Sequence, residues 1–236
     1  MHIVTLSFDD GLLKSNLKIA DIYERYGVSA CFNIIAGGYG KSFTSPDKWH
    51  IGFEKGGFDV WNELQARGHE IMPHGYKHAN KAKTPFDEAK KLITDCLAVF
   101  SQELDGFTPE EAVFNFPYNH STPELEVWLP SVVKAFRTSG DAVNPLPHPG
   151  QVKLTTDGYG PDNCEEHLDN EIERLLSLPS GWLIYNTHGL DEEGWGPIGA
   201  EYLDRLLDRL LSVSTVCILP AGKALEMDDK GEGEVR

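Results

Sequence analysis

The sequence predicts an α/β fold with a mostly parallel sheet, either open or closed into a barrel. Apolar runs of strand length alternate with amphipathic segments of helical period along almost the whole chain of 236 residues. Such alternation places successive strands parallel, because each helix returns the chain to the start of the next strand. The composition, 40% hydrophobic and 25% charged, fits a packed core. We expect one domain over residues 1–227 and a frayed charged tail over 228–236.

The elements follow in order along the chain. The predicted strands are Ile3–Phe8, Ala30–Ile35, Glu70–Pro73, Ala112–Phe116, Lys134–Thr138, Val152–Thr155, Trp182–Asn186 and Thr215–Leu219. The predicted helices are Leu13–Tyr26, Asp59–Arg67, Phe86–Glu103, Pro123–Val132, Glu165–Leu178 and Gly199–Leu211. Thr84 and Pro85 are expected to be the N-cap and the first residue of the third helix. Glycines stand where helix C-caps are expected, at Gly27, Gly68 and Gly106.

Net charge and cysteine usage restrict the partners and the compartment. A net charge of −16 and an isoelectric point near 4.9 argue against a nucleic-acid partner and against an anionic membrane surface. No apolar run approaches the length of a membrane span, and the four cysteines are scattered without a CxxC pair. We therefore expect a reducing, cytoplasmic location, or a chain whose leader has been removed.

The first predicted strand ends in two adjacent carboxylates, Asp9 and Asp10, followed by Gly11. Like charges at this spacing repel, so one of the two carboxylates stays protonated or needs a cation. A solvated turn with a helix N-cap explains this segment equally well when it is taken alone. The functional interpretation is that one carboxylate binds a metal while the other moves a proton.

Two histidines, His74 and His78, follow the third predicted strand. Side chains four residues apart can face the same way on a helical turn and bind one divalent metal, although nine histidines in this chain make chance pairs common. With one aspartate they would form a three-ligand site that leaves a position for water. The other histidines have no comparable context: His2, His50, His69, His120, His148 and His167.

Two further predicted strands end in residues capable of chemistry. Pro117 and Tyr118 follow one of them, and His188 follows the other. Each has a structural explanation, because proline ends strands, tyrosine packs, and a lone histidine is more often structural than catalytic. In parallel α/β folds, however, active sites lie at the carboxyl ends of the strands. Polar residues at four such ends favour a single site.

Together these motifs resemble the polysaccharide deacetylase family, also called the NodB-homology or carbohydrate esterase family 4 domain. Residues 7–11, SFDDG, are similar to its (T/S)FDDG motif, and His74 with His78 to its metal-binding HxxxH. Residues 116–118 are similar to the third motif, and His188 to the fifth. The resemblance extends from residue 1 to about residue 227.

The resemblance implies a distorted (β/α) barrel of about seven parallel strands, related to the TIM barrel, with one divalent metal. Zinc is the first expectation, and cobalt, nickel and manganese are alternatives. The implied metal ligands are Asp10, His74 and His78. Asp9 would be the general base and His188 the general acid. The backbone N–H of Tyr118, with Pro117 beside it, would belong to the oxyanion and substrate site.

Several positions depart from the family pattern. Asn115 stands where the third motif usually has an arginine that pairs with the base, and Arg137, at another predicted strand end, is a candidate substitute. Asn186 replaces a leucine of the fifth motif, which makes the pocket near His188 more polar. Asp141 lacks the tryptophan that usually follows the aspartate of the fourth motif.

The leading hypothesis is a metal-dependent hydrolase that removes an acyl group, most often acetyl, from an amino sugar or oligosaccharide. One alternative keeps the metal centre and attacks an O-acetyl ester or a small cyclic or linear amide, as in allantoinase-like relatives. The other is a non-catalytic carbohydrate-binding module. A long connection over residues 37–57 and several aromatic residues could contact sugar, the latter being Tyr39, Trp49, Tyr76, Tyr118 and Trp195.

Overall fold

The computed structural model describes residues 1–37, 53–160 and 162–227. The strands are β1 (His2–Asp9), β2 (Cys31–Ile34), β3 (Glu70–Pro73), β4 (Val113–Asn115), β5 (Ala135–Ser139), β6 (Val143–Asn144), β7 (Lys153–Thr156), β8 (Gly181–Thr187) and β9 (Val216–Ile218). The helices are α1 (Leu13–Arg25), α2 (Phe58–Ala66), α3 (Phe86–Glu103), α4 (Pro123–Trp128), α5 (Cys164–Ser177), α6 (Ala200–Leu211) and α7 (Ala221–Leu225). The predicted tail, 228–236, and most of the 37–57 connection lie outside the described residues.

The strands form two sheets, which confirms the predicted α/β class. The larger sheet has the order β3-β2-β1-β8-β6, with β9 also paired to β1, and the smaller has the order β4-β5-β7. All these pairs are parallel except the short β6, which runs antiparallel to β8. The sheets meet edge to edge, since β3 lies beside β4 and β7 lies beside β8. The described ladders stop between β3 and β4, so closure into a seven-stranded barrel stays a prediction.

Alternation along the strands separates two faces of the sheets. On β1, Val4, Leu6 and Phe8 pack in the large cluster shared with the helices. Ile3 instead packs in a small cluster with residues from four other strands and α7, including Val113, Ala135, Leu154, Trp182 and Ile184. Because side chains alternate with a period of two, residues two and four positions further along these strands continue the same inner face. That face becomes polar towards the carboxyl ends of the strands.

Helix ends agree with the predictions at two glycines and differ at two other places. Gly27 and Gly68 follow α1 and α2 with φ of 66° and 98°, as left-handed C-terminal glycines do. The predicted cap of α3 is wrong: Pro85 is the N-cap, while the Thr84 hydroxyl donates to the Asn80 carbonyl. The predicted helix 123–132 ends at Trp128 and continues as a 3₁₀ turn, because Pro130 cannot donate a helical hydrogen bond. None of the described helices combines the length and the apolarity that a membrane span requires.

Candidate active site

Three buried ligand-type side chains lie together at the carboxyl ends of β1 and β3. The Oδ1 atom of Asp10 is 3.5 Å from Nε2 of His74 and 3.5 Å from Nε2 of His78. Neighbouring ligand atoms of a tetrahedral zinc-type site with bonds of about 2.0–2.2 Å lie about 3.3–3.6 Å apart. One carboxylate with two imidazoles is also a donor set that suits zinc and similar divalent ions. The three residues therefore fit a single metal ion.

The backbone at Asp10 explains how two consecutive aspartates face one site. Asp9 is the last residue of β1, and its side chain points to the inner face. Asp10 would point to the opposite face if the strand continued. Its φ of 82°, followed by 71° at Gly11, turns the chain sharply at this point. A left-handed conformation costs a non-glycine residue about 1–3 kcal/mol, and residues strained in this way are common at functional sites.

His74 is held in the tautomer that a metal ligand needs. Its Nδ1 atom lies 3.0 Å from the carbonyl oxygen of Asn115, which can only accept, so Nδ1 carries the proton and Nε2 carries the lone pair. Burial lowers the pKa of His74 to about 4, against the attraction of Asp9 and Asp10. The imidazole is therefore neutral at pH 7. The next residue, Gly75, has a φ of 88° that an L-residue rarely adopts, and it turns the chain so that His78 returns to the same site.

Asp9 is held by a buried arginine from β5. The guanidinium of Arg137 donates to both carboxylate oxygens of Asp9, over 2.9 Å to Oδ1 and 2.5 Å to Oδ2. Burial opposes ionisation of Asp9, but Arg137 and His74 outweigh it and hold the pKa of the carboxyl below its usual value. Arg137, which the sequence offered as a candidate partner of the base, thus lies beside Asp9, and Asp9 is a carboxylate at neutral pH.

Two asparagines also donate to Asp9. The side-chain amide of Asn33, on β2, donates to Oδ1 over 2.7 Å, and that of Asn186, on β8, donates to Oδ2 over 2.7 Å. Asn115 does not contact Asp9 itself. Its amide donates to Oδ1 of Asn33 over 2.7 Å and so orients the Asn33 amide towards the carboxylate.

A cavity of about 370 Å³ opens above these groups. His188 lies on its wall with Nε2 4.0 Å from Oδ2 of Asp10, and Trp195 stands edge-on to the His188 ring with centroids 5.7 Å apart. Burial lowers the pKa of His188, against the attraction of Asp10 and Asp9. The neutral imidazole is therefore the major form at pH 7. The residues that line the cavity are Asp9, His74, His78, Tyr118, Asn119, His120, Gly158, Asn186, His188 and Trp195.

The segment after β4 brings Tyr118 to this cavity through an unusual backbone. Tyr118 and Asn119 have φ of 60° and 54° in succession, directly after Pro117. This backbone places the centroid of the Tyr118 ring 4.6 Å from the centroid of the His78 ring. The Asn119 carbonyl accepts from the Thr138 hydroxyl over 3.0 Å, which ties the segment to the end of β5.

Other candidates lie away from the cavity or beyond the described chain. Asp141 pairs with Arg174 over 2.6 Å at the surface, so it has no part in the cluster. Tyr76 is exposed and does not line the cavity. Tyr39 and Trp49 lie outside the described residues.

Sequence reasoning missed four residues of the site, Asn33, Asn119, His120 and Gly158. Asn33 had a usable signal, because a polar residue in the middle of the apolar run 30–35 needs a buried partner. Asn119 and His120 had none, because they follow the Pro-Tyr motif in a loop whose direction depends on the fold.

Comparison with known proteins identifies the relatives of this chain. Residues 1–126, more than half of the sequence, match the family model described as polysaccharide deacetylase. A search of curated protein sequences finds no significant match.

Solved structures similar to this chain include three bacterial proteins. A putative polysaccharide deacetylase from Mycobacterium smegmatis aligns with a TM-score of 0.71 and 14% identity, over 99% of this chain and 92% of its own. A family 4 acetyl xylan esterase from Clostridium thermocellum, in complex with a cobalt ion, aligns with a TM-score of 0.64 and 20% identity, over 95% of this chain and 91% of its own. A peptidoglycan deacetylase from Bacillus subtilis aligns with a TM-score of 0.61 and 14% identity, over 95% of this chain and 90% of its own. These likenesses establish a shared fold.

Proposed function

Because this chain belongs to the polysaccharide deacetylase family, we propose that it is a metal-dependent hydrolase acting on N-acylated sugars. It would remove an acyl group, with acetyl as the simplest case, from the nitrogen of an amino sugar or oligosaccharide. The observation that carries the proposal is the meeting of a metal-type donor set, an ionised Asp9 and His188 around one cavity.

The residues that would hold the metal are Asp10, His74 and His78, and zinc is the ion we expect there. When bound, a divalent ion supplies polarisation of the acyl carbonyl and acidification of a water molecule. The chain's own contribution is to present one neutral imidazole in a fixed tautomer, at His74, beside a carboxylate at Asp10.

Asp9 would act as the general base. Its Oδ2 atom is 3.7 Å from Nε2 of His74, so the carboxylate lies directly beside the cluster without being part of it. Arg137, Asn33 and Asn186 fix its orientation through hydrogen bonds. These contacts keep Asp9 ionised at neutral pH, as a general base must be, and it lines the cavity from which it would take a proton from a water molecule.

His188 would give a proton to the departing amine. Because the neutral imidazole is the major form at pH 7, His188 would first take up a proton, which balances the one that Asp9 removes from water. Its lowered pKa makes the resulting imidazolium a stronger acid than an ordinary histidine. The backbone N–H of Tyr118, next to Pro117, would donate to the oxygen on which negative charge develops. Trp195 and the Tyr118 ring offer apolar faces to the sugar, whose ring stays at the cavity mouth.

The test is a release assay with a defined metal state. The purified protein should contain close to one divalent ion per chain, and it should release acetate from N-acetylglucosamine oligomers at a rate that falls after chelation and returns with added zinc. Acetyl-xylan and a small cyclic amide, at equal concentration, cover the two other bond types. A metal-free native protein, or acetate released only from the ester, would contradict the proposal.

A further inference from the structure

Two asparagines form part of the cavity wall next to Asp9. Asn119 comes from the loop after β4 and Asn186 from β8, and the Nδ2 atom of Asn119 lies 3.1 Å from Oδ1 of Asn186. The Oδ1 atom of Asn119 lies 3.1 Å from Nη2 of Arg137. With the bonds of Arg137 and Asn186 to Asp9, these contacts close a ring of four side chains.

The chemistry of the ring leaves one orientation for each amide. Arg137 can only donate, so the oxygen of Asn119 faces it and the nitrogen of Asn119 faces Asn186. The ionised Asp9 can only accept, so the nitrogen of Asn186 faces Asp9 and its oxygen faces Asn119. Neither amide can flip without setting like groups against each other.

Asn119 and Asn186, which both line the cavity, each keep one hydrogen-bonding group that the ring does not use. Among the contacts of the described residues, Asn119 uses one of its two amide N–H groups, on Asn186. Asn186 Oδ1 accepts that one bond and keeps a second lone pair. A donor and an acceptor therefore adjoin at the cavity wall. A hydroxyl group can accept from the first and donate to the second, whereas a methyl group can do neither.

The position of Asn186 indicates which part of the substrate meets this pair. Asn186 lies on β8 and His188 follows the last residue of that strand, so the two side chains, two positions apart, both face the cavity. Asn186 donates to Oδ2 of Asp9, the oxygen that lies 3.7 Å from Nε2 of His74, so the asparagine pair adjoins both the proposed base and the proposed metal ligands. The acyl carbon has to reach these groups in order to react, so the acyl substituent lies beside the two asparagines.

We propose that Asn119 and Asn186 are specificity-determining residues that favour an acyl group with a hydrogen-bonding substituent over a hydrocarbon acyl group of the same size. The inference rests on the proposed function. The substrate class is N-hydroxyacyl amino sugars, with N-glycolyl as the smallest member. Water cleaves that amide to glycolate and the free amine, so no co-reactant is needed.

The test compares two substrates that differ in one non-hydrogen atom. N-glycolyl-glucosamine ends in a hydroxyl where N-propionyl-glucosamine ends in a methyl, and release of free amine gives kcat/KM for each on the zinc-loaded enzyme. The hydroxyl also makes the amide carbonyl intrinsically more reactive, so the change in the glycolyl-to-propionyl ratio between wild type and variants is decisive. We expect a wild-type ratio of about tenfold or more, and a ratio lowered about fivefold or more by each variant.

The variants are Asn119→Gly, which suits the left-handed backbone at this position, and Asn186→Leu, which places a hydrocarbon in the wall. Asn62→Leu on α2 makes the same change at a side chain that bonds the segment 103–105 and does not line the cavity, so it should leave the ratio unaltered. For a variant too slow to assay, dissociation constants of the two substrates measured by calorimetry supply the ratio.

The outcomes separate the two proposals. An unchanged ratio in both variants, or a wild-type preference for propionyl, overturns the inference while the proposed function stands. Failure of the zinc-loaded wild type to cleave either substrate, while it releases acetate from N-acetylglucosamine oligomers, overturns the inference alone. Failure on all three substrates overturns the proposed function and the inference with it.

Discussion

The two histidines that flank β3 are equally buried but differently used. His69, before the strand, accepts from the backbone N–H of Ala30 over 3.1 Å and lies 3.2 Å from the Glu24 carboxylate. His74, after the strand, donates to a backbone carbonyl and turns its other nitrogen towards two aspartates. Burial lowers the pKa of both. The second ring nitrogen distinguishes them. In His69 it meets the Glu24 carboxylate, whereas in His74 it faces a site that has room for an ion.

Two buried carboxylates at opposite ends of the strands, those of Glu70 and Asp9, differ in the same way. Glu70, at the start of β3, accepts from the backbone N–H groups of Gly222 and Lys223 over 3.1 Å each, and burial raises the pKa of its carboxyl. Asp9 meets the guanidinium of Arg137, and its pKa is lowered. Backbone amides satisfy a buried carboxyl, but a buried cation keeps it ionised. The amino end of the strands is therefore structural, and the carboxyl end is equipped for chemistry.

Removal of each histidine in turn should give the largest difference between the two ends of β3. His74→Ala should abolish metal binding, because it removes one of three ligands, and turnover should disappear with it. His69→Ala should leave the metal content at the wild-type value and lower only the stability. Elemental analysis of both purified variants gives the answer, and a metal-loaded His74→Ala protein would show that the cluster is not the metal site.

The carboxylates provide the second contrast. Asp9→Asn should keep the metal and lose roughly 10²–10⁴-fold in kcat, since the amide cannot take a proton. Glu70→Gln makes the same chemical change at the other end, and its kcat should stay within about twofold of wild type. Steady-state kinetics on metal-loaded samples measure both. Equal losses in the two variants would remove Asp9 from the role of base.

The third contrast concerns the cation beside Asp9. Arg137→Met leaves a buried carboxylate without its partner and should lower the free energy of unfolding by about 3–5 kcal/mol. Arg174→Met breaks the exposed pair with Asp141 and should cost about 0–1 kcal/mol. Urea unfolding of the two variants measures the difference. Similar midpoints would mean that Arg137 contributes no more than a surface arginine.

The smallest expected effect is a pH dependence of the metal-free protein. Between about pH 6.5 and about pH 4, the unfolded chain binds a proton at His74 that the folded protein does not. The free energy of unfolding should therefore fall as the pH is lowered through this window, by up to ~3 kcal/mol from this group. His74→Asn removes the group and should flatten the curve, which urea titrations at several pH values would reveal.

The sequence was a good guide to the elements and to the strand ends. The observed bounds of β1, β3, α1 and α3 fall within one residue of the predicted bounds, because long apolar runs and helical periods are local signals. It missed β6 and α7, which have only two and five residues and whose places depend on the strands beside them.

The residues of the site also fall into two groups, those that the local sequence indicates and those that depend on distant parts of the chain. Asp9, Asp10, His74, His78 and His188 stood out in the sequence because each follows an apolar run, and strand direction alone brings such ends to one edge of a parallel sheet. The partners of Asp9 did not stand out as a set. Arg137 is 128 residues away and Asn186 is 177 residues away.

What the sequence determined by itself was therefore the fold class and the chemical inventory of the strand ends, since both depend on neighbouring residues and on periodicity. Only the tertiary structure decided that Arg137 rather than Asn115 contacts Asp9, and that Asn119 and Asn186 meet. Those contacts depend on which strands lie side by side and in what register, which is a property of the whole packed chain. The Asp9–Asp10 pair faces one site for a similar reason: the backbone at Asp10 adopts a strained turn that the surrounding fold sustains.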